Sequence, residues 1–176
     1  TTSSALFSIA LDHHVALIVL LQNNMRSSAY ALLRAIFDAV WRGAWAAFVA
    51  PDQNLVAFMA GRYDPKPEAA IKRLEEIHQL PKVLSSFYSE GWSAMSAFTH
   101  GGALQVQHWI GDGVIEPQHT DAGILEILDA ADRLAFVACV LFLQVAELER
   151  GELADLADKF LSRTQVGVQH LPQSNA

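Results

Sequence analysis

An arginine and an aspartate lie one helical turn apart in a stretch that is otherwise apolar or small, SAYALLRAIFDAVWRGAW at residues 28–45. The i,i+4 spacing of Arg34 and Asp38 lets a guanidinium and a carboxylate meet on one helix face. One interpretation is a structural ion pair that bridges two helices, since buried pairs of this kind are only weak indicators of function. The other is a binding site, because a fixed planar guanidinium suits phosphate or carboxylate recognition.

A polar stripe occurs in a second apolar stretch, where Ser93, Ser96 and His100 are spaced at i, i+3 and i+7. This spacing places the three side chains on one side of a helix. A histidine on a buried helix is usually a core residue whose hydrogen bonds are satisfied. Gly101 and Gly102 follow it directly, however, and glycines allow a ligand to approach the backbone closely. A titratable imidazole in that setting favours a site.

Two functions stay open for these residues. In an enzyme, His100 would be the general acid or base and Arg34 would hold a phosphate. Asp38 would orient Arg34 or His100, and Ser96 would fix the imidazole tautomer. In a binding protein or scaffold, the same groups would form a buried polar network that fixes helix register. The residues expected to line a ligand are Tyr30, Ser93 and Trp41.

Exposure distinguishes the two functions. A cleft that reaches His100 would favour chemistry, whereas a sealed network would favour structure. In either case the second and fifth predicted helices should pack side by side, because charges placed among tryptophans need partners.

Composition indicates one domain with a subunit interface. At 176 residues the chain is long enough to bury a core, and we expect a single domain at 1–163 followed by a flexible tail at 164–176. Hydrophobic residues make up 52% of the chain, and this surplus favours a homodimer. The net charge of −7 excludes a coat of bulk nucleic acid, although a local pocket could hold RNA or another phosphate-bearing ligand.

No motif for a metal or an organic cofactor is present in the sequence. It contains no P-loop, no dinucleotide glycine fingerprint and no nucleophile elbow. Glu75 and His78 match one Glu-x-x-His pair of a di-iron bundle, but the second match, Glu116 and His119, contains Pro117 in a predicted loop. We therefore expect neither a metal nor a cofactor.

The cysteine count and the apolar runs bear on location. The single cysteine, Cys139, offers no disulfide framework, which fits a reducing cytoplasm. The longest charge-free runs, VALIVLL and LAFVACVLFL, are shorter than the roughly 20 residues that span a bilayer, and no basic leader precedes the first. We interpret both as core helix and expect a cytoplasmic protein without membrane contact.

Apolar residues recur at three and four almost throughout, which predicts an all-α fold. We expect an up-and-down helical bundle of about six to seven helices with a central four-helix core. The predicted helices run about Ser4–Leu21, Ser27–Val49, Asp52–Arg62 and 68–80, then through 92–100, then from Thr120 or Asp121 to about Arg150, with a short one after Gly151. Gly101 and Gly102 should weaken or kink the fifth helix.

The second predicted helix is apolar or small on every side. At about 100° per residue one stripe and its opposite face can be assigned. The stripe comprises Leu33, Ile36, Phe37, Val40, Ala44 and Phe48. The back face comprises Ala31, Ala35, Ala39, Gly43 and Ala46. A helix of this kind is buried all round, so we expect it at the centre of the bundle or of a dimer.

The motifs resemble those of an uncharacterised bacterial family of small helical proteins, over about residues 15–145. In that family a helix reading Ser-Ala-x-x-Leu-x-Arg, with an acidic residue four positions after the arginine, is followed much later by His-Gly. The matching residues here are Ser28, Ala29, Leu32, Arg34, Asp38, His100 and Gly101.

Such families are distantly similar to HEPN domains, which are helical bundles that often dimerise. The resemblance implies a metal-independent endoribonuclease of a bacterial toxin or phage-defence system. The HEPN signature, Arg-x4-6-His, is matched by Arg73 and His78, but these would point about 140° apart on a helix, and we do not assign it. The alternative is a non-catalytic dimeric scaffold or regulatory binding protein whose polar network is structural.

Overall fold

The computed structural model describes residues 1–78, 82–110, 113, 115 and 117–146. Within these ranges the chain forms seven α-helices, and an isolated bridge between Ile110 and Ile115 is the only β pairing. The helices are α1 (Thr2–Gln22), α2 (Arg26–Phe48), α3 (Asp52–Met59), α4 (Pro67–His78), α5 (Val83–Thr99), α6 (Ala103–Gln107) and α7 (Asp121–Val145). The predicted all-α fold is confirmed. The helix expected after Gly151 and the tail at 164–176 lie outside the described residues.

Helix α2 occupies the centre of the bundle. It packs against α1, α4, α5 and α7, and α1 also packs against α7. The predicted apolar stripe supplies the core, since Ile36, Phe37, Val40 and Ala44 are completely buried. These contacts support in part the expected core of four helices. Helix α2 lies at its centre, and the helices that pack against α2 surround it.

The back face of α2 packs against α1 of the same chain. A Cβ atom added to Gly43 would lie 2.6 Å from Cε1 of Phe7, and Phe7 is fully buried. The absence of a side chain at Gly43 therefore lets the two helices approach closely. The sequence predicted that this face of α2 is buried either inside the bundle or in a dimer interface. At Gly43 it is buried inside the bundle, against α1 of the same chain.

Helix α1 carries apolar side chains on both of its sides. Phe7 and Leu17 point into the core and are fully buried. On the opposite side lies a set that we name the outer α1 stripe, namely Ile9, Val15 and Val19, whose exposed fractions are 46%, 59% and 49%. Among the described helices, α1 alone is long and apolar enough to cross a membrane. Buried core helices and N-terminal signal sequences meet the same criterion; 17% of the apolar window of α1 is buried, and α1 packs along α2 and α7.

Three helix ends differ from or refine the prediction. Helix α3 ends at Met59 rather than near Arg62, because Gly61 adopts a positive φ of 67° that reverses the chain. The expected kink in α5 is a termination: the helix ends at Thr99, and Gly101, at φ 65°, separates it from α6. Thr120 caps α7 by accepting a hydrogen bond from the backbone N–H of Gly123 at 3.1 Å.

Replacing Gly43 by alanine should destabilise the protein. The new methyl would overlap the ring of Phe7, and overpacking costs about 1–3 kcal/mol. The better helix propensity of alanine returns about 1 kcal/mol, so we expect a net loss of up to about 2 kcal/mol in the free energy of unfolding. Urea and thermal denaturation would measure it.

Gly91→Ala is the matched control, since its added Cβ would meet only Cε of Met95 at an ordinary 3.5 Å. It should be neutral or gain up to about 1 kcal/mol. Equal effects of the two substitutions would contradict the close approach of α1 and α2.

Candidate functional site

Arg34 joins α2 to α5 through one hydrogen bond and a ring contact, and it pairs with Asp38 on α2 itself. Its Nε donates to Oδ2 of Asp38 at 3.0 Å, and its Nη1 donates to Oγ of Ser96. The guanidinium lies over the ring of Trp92, with Cζ 3.2 Å from the ring centroid. Its side chain is only 15% exposed. The one-turn spacing on α2 and the polar stripe on α5 thus meet, as predicted, at Arg34, Asp38 and Ser96. We name these three residues the Arg34 network.

Asp38 is surrounded by donors. Besides Arg34, the indole Nε1 of Trp41 donates to its Oδ1 at 2.9 Å, and Nη1 of Arg42 lies 3.3 Å from its Oδ2. Trp41 is almost completely buried, and a buried indole N–H needs an acceptor. The aspartate therefore satisfies Trp41, a residue expected to line a ligand, while two arginines compensate its charge.

Arg42 is a residue that the sequence reasoning missed. Its spacing after Asp38 is again i,i+4, the signal that identified Arg34. It also contacts Asp64 at 3.2 Å and lies over the ring of Trp41, 4.7 Å from the centroid. Basic and acidic side chains therefore alternate along one face of α2, and the last of them, Arg42, pairs with Asp64 in the segment before α4.

His100 lies at the C-terminal end of α5, outside the Arg34 network. It is the C-cap residue, its backbone N–H donates to the carbonyl of Ser96 at 3.1 Å, and its side chain is exposed. In the described part of the chain no hydrogen bond or ion pair joins its imidazole to Arg34, Asp38 or Ser96. The exposed side chain of Ser93 is likewise outside the network. The structure therefore brings together three of the four residues proposed for chemistry.

Tyr30 belongs to a second cluster, formed by aromatic rings and histidines. Its ring stacks on His119 with centroids 4.6 Å apart. His119 in turn stacks on His108 at 4.9 Å, with the two imidazoles almost parallel at 9°. Phe98 of α5 completes the cluster, 4.8 Å from Tyr30. We name these residues the His119 cluster.

His119 is buried with one ring nitrogen unpaired. Its Nε2 lies 3.0 Å from Oγ of Ser27, which also accepts from Nε1 of Trp109 at 2.7 Å. Arg26 donates to the backbone carbonyl of His119 at 2.6 Å. Nδ1 is buried and has no hydrogen-bond partner. The tautomer of the imidazole sets which of Nε2 and the Ser27 hydroxyl donates, and Nδ1 has no partner in either tautomer.

The environment of His119 opposes its protonation. Burial lowers the pKa of the imidazole, and the neighbouring charges of His108 and Arg26 lower it further. Burial also raises the pKa of the Tyr30 hydroxyl, as does the negative charge of Glu126. Both groups are therefore neutral near pH 7, and the cluster is a packed aromatic contact without a formal charge on these two rings.

The sequence contained little signal for the His119 cluster. His108 follows the short helix α6, and His119 lies in the irregular segment before α7. Outside a helix, the spacing of residues does not indicate which side chains lie on the same face. The pair Glu116 and His119 was considered only as a metal motif. The described residues contain no group of three or more histidine, cysteine or acidic side chains that could hold a metal ion.

Cavities of about 440 and 420 Å³ open on the surface elsewhere. The larger lies beside the C-terminal half of α2, and the smaller lies beside the start of α1. Neither is lined by Arg34, Asp38, Ser96 or His100.

A family of unknown function, DUF6988, matches residues 7–163. The chain belongs to the DUF6988 family. Comparisons with curated proteins and with solved structures found no match. The DUF6988 match covers the Arg34 network, the His119 cluster and all seven described helices apart from the first five residues of α1.

The stability of this DUF6988 protein should fall as the pH drops below about 6.5, the ordinary pKa of histidine. His119 has a lowered pKa when folded, so the unfolded chain binds more protons over the window between the folded and unfolded pKa values. Stability is therefore retained above this window and lost within it as the pH falls. One proton contributes a slope of at most about 1.4 kcal/mol per pH unit. Urea denaturation from pH 5 to pH 8 would measure the slope.

His119→Phe keeps an aromatic ring in the stack but removes the titrating group, so it should flatten the slope. Ser27→Ala is the control, because it removes the same hydrogen bond and leaves the imidazole in place. A slope that is unchanged in His119→Phe would show that His119 does not cause the pH dependence.

Proposed function

We propose that this protein is a non-catalytic, homodimeric helical scaffold or regulatory binding protein, in which the Arg34 network fixes α5 on α2. The observation that carries this proposal is the engagement of the Arg34 guanidinium by Asp38, Ser96 and the ring of Trp92. The network favours one packing of the two helices, because the hydrogen bond of Arg34 to Ser96 and its contact with Trp92 both depend on the position of α5, whereas its ion pair with Asp38 lies within α2.

The position of Asp38 also opposes phosphate binding by Arg34. A phosphate would have to replace the carboxylate at Nε or approach close beside it, and like charges repel each other. The cost would be larger because Trp41 and Arg42 also depend on Asp38. The network is therefore better suited to holding helices than to binding an anion.

A second candidate is the metal-independent ribonuclease suggested by the distant likeness to HEPN domains. The observation in its favour is that Nη2 of Arg34 donates no hydrogen bond within the described residues, while the imidazole of His100 is exposed at the end of α5. In this function Arg34 would hold the scissile phosphate and His100 would transfer a proton. The net charge of −7 restricts such binding to a local site.

Arg34→Ala and His100→Ala distinguish the two functions. On the structural proposal Arg34→Ala lowers the free energy of unfolding by about 1.5–3 kcal/mol, because hydrogen bonds to charged groups are lost. His100→Ala should leave stability almost unchanged, and purified wild type should leave a mixed RNA pool intact. Thermal melts and gel assays would give the two readouts.

Arg133→Ala is the matched control, since Arg133 forms an i,i+4 pair with Asp129 on α7 whose side chains are 67% and 61% exposed. Its effect should stay within about 1 kcal/mol. RNA cleavage by the wild type that is lost in a folded His100→Ala variant would establish the ribonuclease and overturn the structural proposal.

The homodimer proposal now rests on α1 rather than on the back face of α2. The outer α1 stripe exposes three large apolar side chains with the exposed Asp12 between Ile9 and Val15, and the chain is 52% hydrophobic. A second copy can cover the stripe symmetrically, with α1 packed against α1 of its partner about a two-fold axis. Such an isologous contact would remove both stripes from water at once.

Light scattering should give twice the 19.3 kDa mass of the chain at micromolar concentration. Val15→Glu should shift the mass towards the monomer, because it buries a charge in the proposed interface. Val56→Glu is the control, since Val56 is 64% exposed on α3, away from the stripe. A wild type that stays at 19.3 kDa across this range would refute the dimer.

A further inference from the structure

A cavity of about 440 Å³ lies between the C-terminal part of α2, the start of α3 and the start of α4. Its volume falls in the range of small-molecule sites. Trp45 and Tyr63 form an aromatic wall, and Ala69 lies on the α4 side. The charged residues of its lining are Asp64, Lys66 and Arg73.

The aromatic wall is held in place by ring packing. Trp45 and Tyr63 stack with centroids 5.9 Å apart and an angle of 25°. Phe58 packs edge-on against Trp45 at 5.6 Å. Trp45 is only 4% exposed, whereas Tyr63 is 38% exposed. Tyr63 therefore presents a ring that is already ordered, and a flat ligand could stack on it at little entropic cost.

The charge that remains in the cavity is positive. The single acidic residue of its lining, Asp64, is engaged by Arg42 at 3.2 Å. Lys66 forms no ion pair among the described residues, and Arg73 has only a loose contact of 3.8 Å with Glu76, which does not line the cavity. Two cations thus line one cavity of a chain whose net charge is −7.

The first turn of α4 presents free backbone donors beside the exposed carboxylate of Glu68. The backbone N–H groups of Glu68 and Ala69 donate to no acceptor in the described part of the chain. Free N–H groups at the start of a helix favour a negative group nearby. They reinforce the attraction due to Lys66 and Arg73.

We propose that this cavity binds a small organic anion, in which a flat ring stacks on Tyr63 and a phosphate or carboxylate group pairs with Lys66 and Arg73. The proposal goes beyond the function argued above, because it depends neither on the Arg34 network nor on the dimer. Arginine binds either anion through paired N–H donors, and lysine adds a second charge.

Titrations of the full chain with four probes, followed by NMR of the backbone amides, test the proposal. Adenosine monophosphate and benzoate each combine a ring with an anion, whereas adenosine and inorganic phosphate carry only one of the two features. We expect saturable shifts at residues 63–73 with at least one of the first two, and binding about tenfold weaker or more with the matching single-feature probes. Binding of the monophosphate alone would indicate a phosphate ligand, and binding of benzoate alone a carboxylate ligand.

Substitution of the cations tests the assignment of the site. Lys66→Gln and Arg73→Gln should each weaken binding about tenfold. Arg133→Gln, which alters another exposed arginine paired along its own helix, should not. Thermal melts would show that all three variants fold. The proposal is overturned if neither ring-bearing anion produces saturable shifts at 63–73, if adenosine and phosphate bind as tightly as the combined probes, or if both cation variants bind like wild type.

Discussion

Asp38 is a carboxylate within an apolar bundle, and the packing of α2 against α5 depends on how its charge is neutralised. Its side chain is 22% exposed, so water supplies only part of its solvation. Arg34, Arg42 and the indole of Trp41 supply the rest. The same arginine that pairs with Asp38 also donates to Ser96, so one side chain both compensates the aspartate and holds α5 against α2. Displacing α5 would break the hydrogen bond of Arg34 to Ser96 and its contact with the ring of Trp92.

Helix α2 contributes to the His119 cluster, the Arg34 network and the larger cavity, and these three features follow one another along its length. Ser27 and Tyr30, near its start, contact His119. The Arg34 network occupies its middle, and Trp45, near its end, lines the larger cavity. Arg42 connects the last two, since it contacts both Asp38 and Asp64. A central helix can do this because neighbours cover it on several sides, so each of its faces meets a different element.

Much of the fold could be predicted from periodicity, and the errors have physical causes. The stripe of Ile36, Phe37 and Val40 is buried as expected, because helical spacing alone determines which side chains share a face. Chain reversals depend instead on single backbone conformations. The positive φ of Gly61 ends α3 earlier than predicted. The positive φ of Gly101 ends α5 at a position where a kink was expected. A glycine in the sequence permits such a conformation without requiring it.

The site could be predicted where helical spacing identifies which side chains share a face. Arg34 and Asp38 are one turn apart, so their contact follows from local geometry. The contact of His119 with Ser27 joins residues 92 positions apart, through an irregular segment whose path no local rule gives. The same reasoning explains His100: its spacing from Ser96 predicts a shared face only while the helix continues, and α5 ends one residue before it. Because the helix ends there, the imidazole is exposed at the end of the bundle, where it can meet solvent or a partner but contributes nothing to neutralising Asp38.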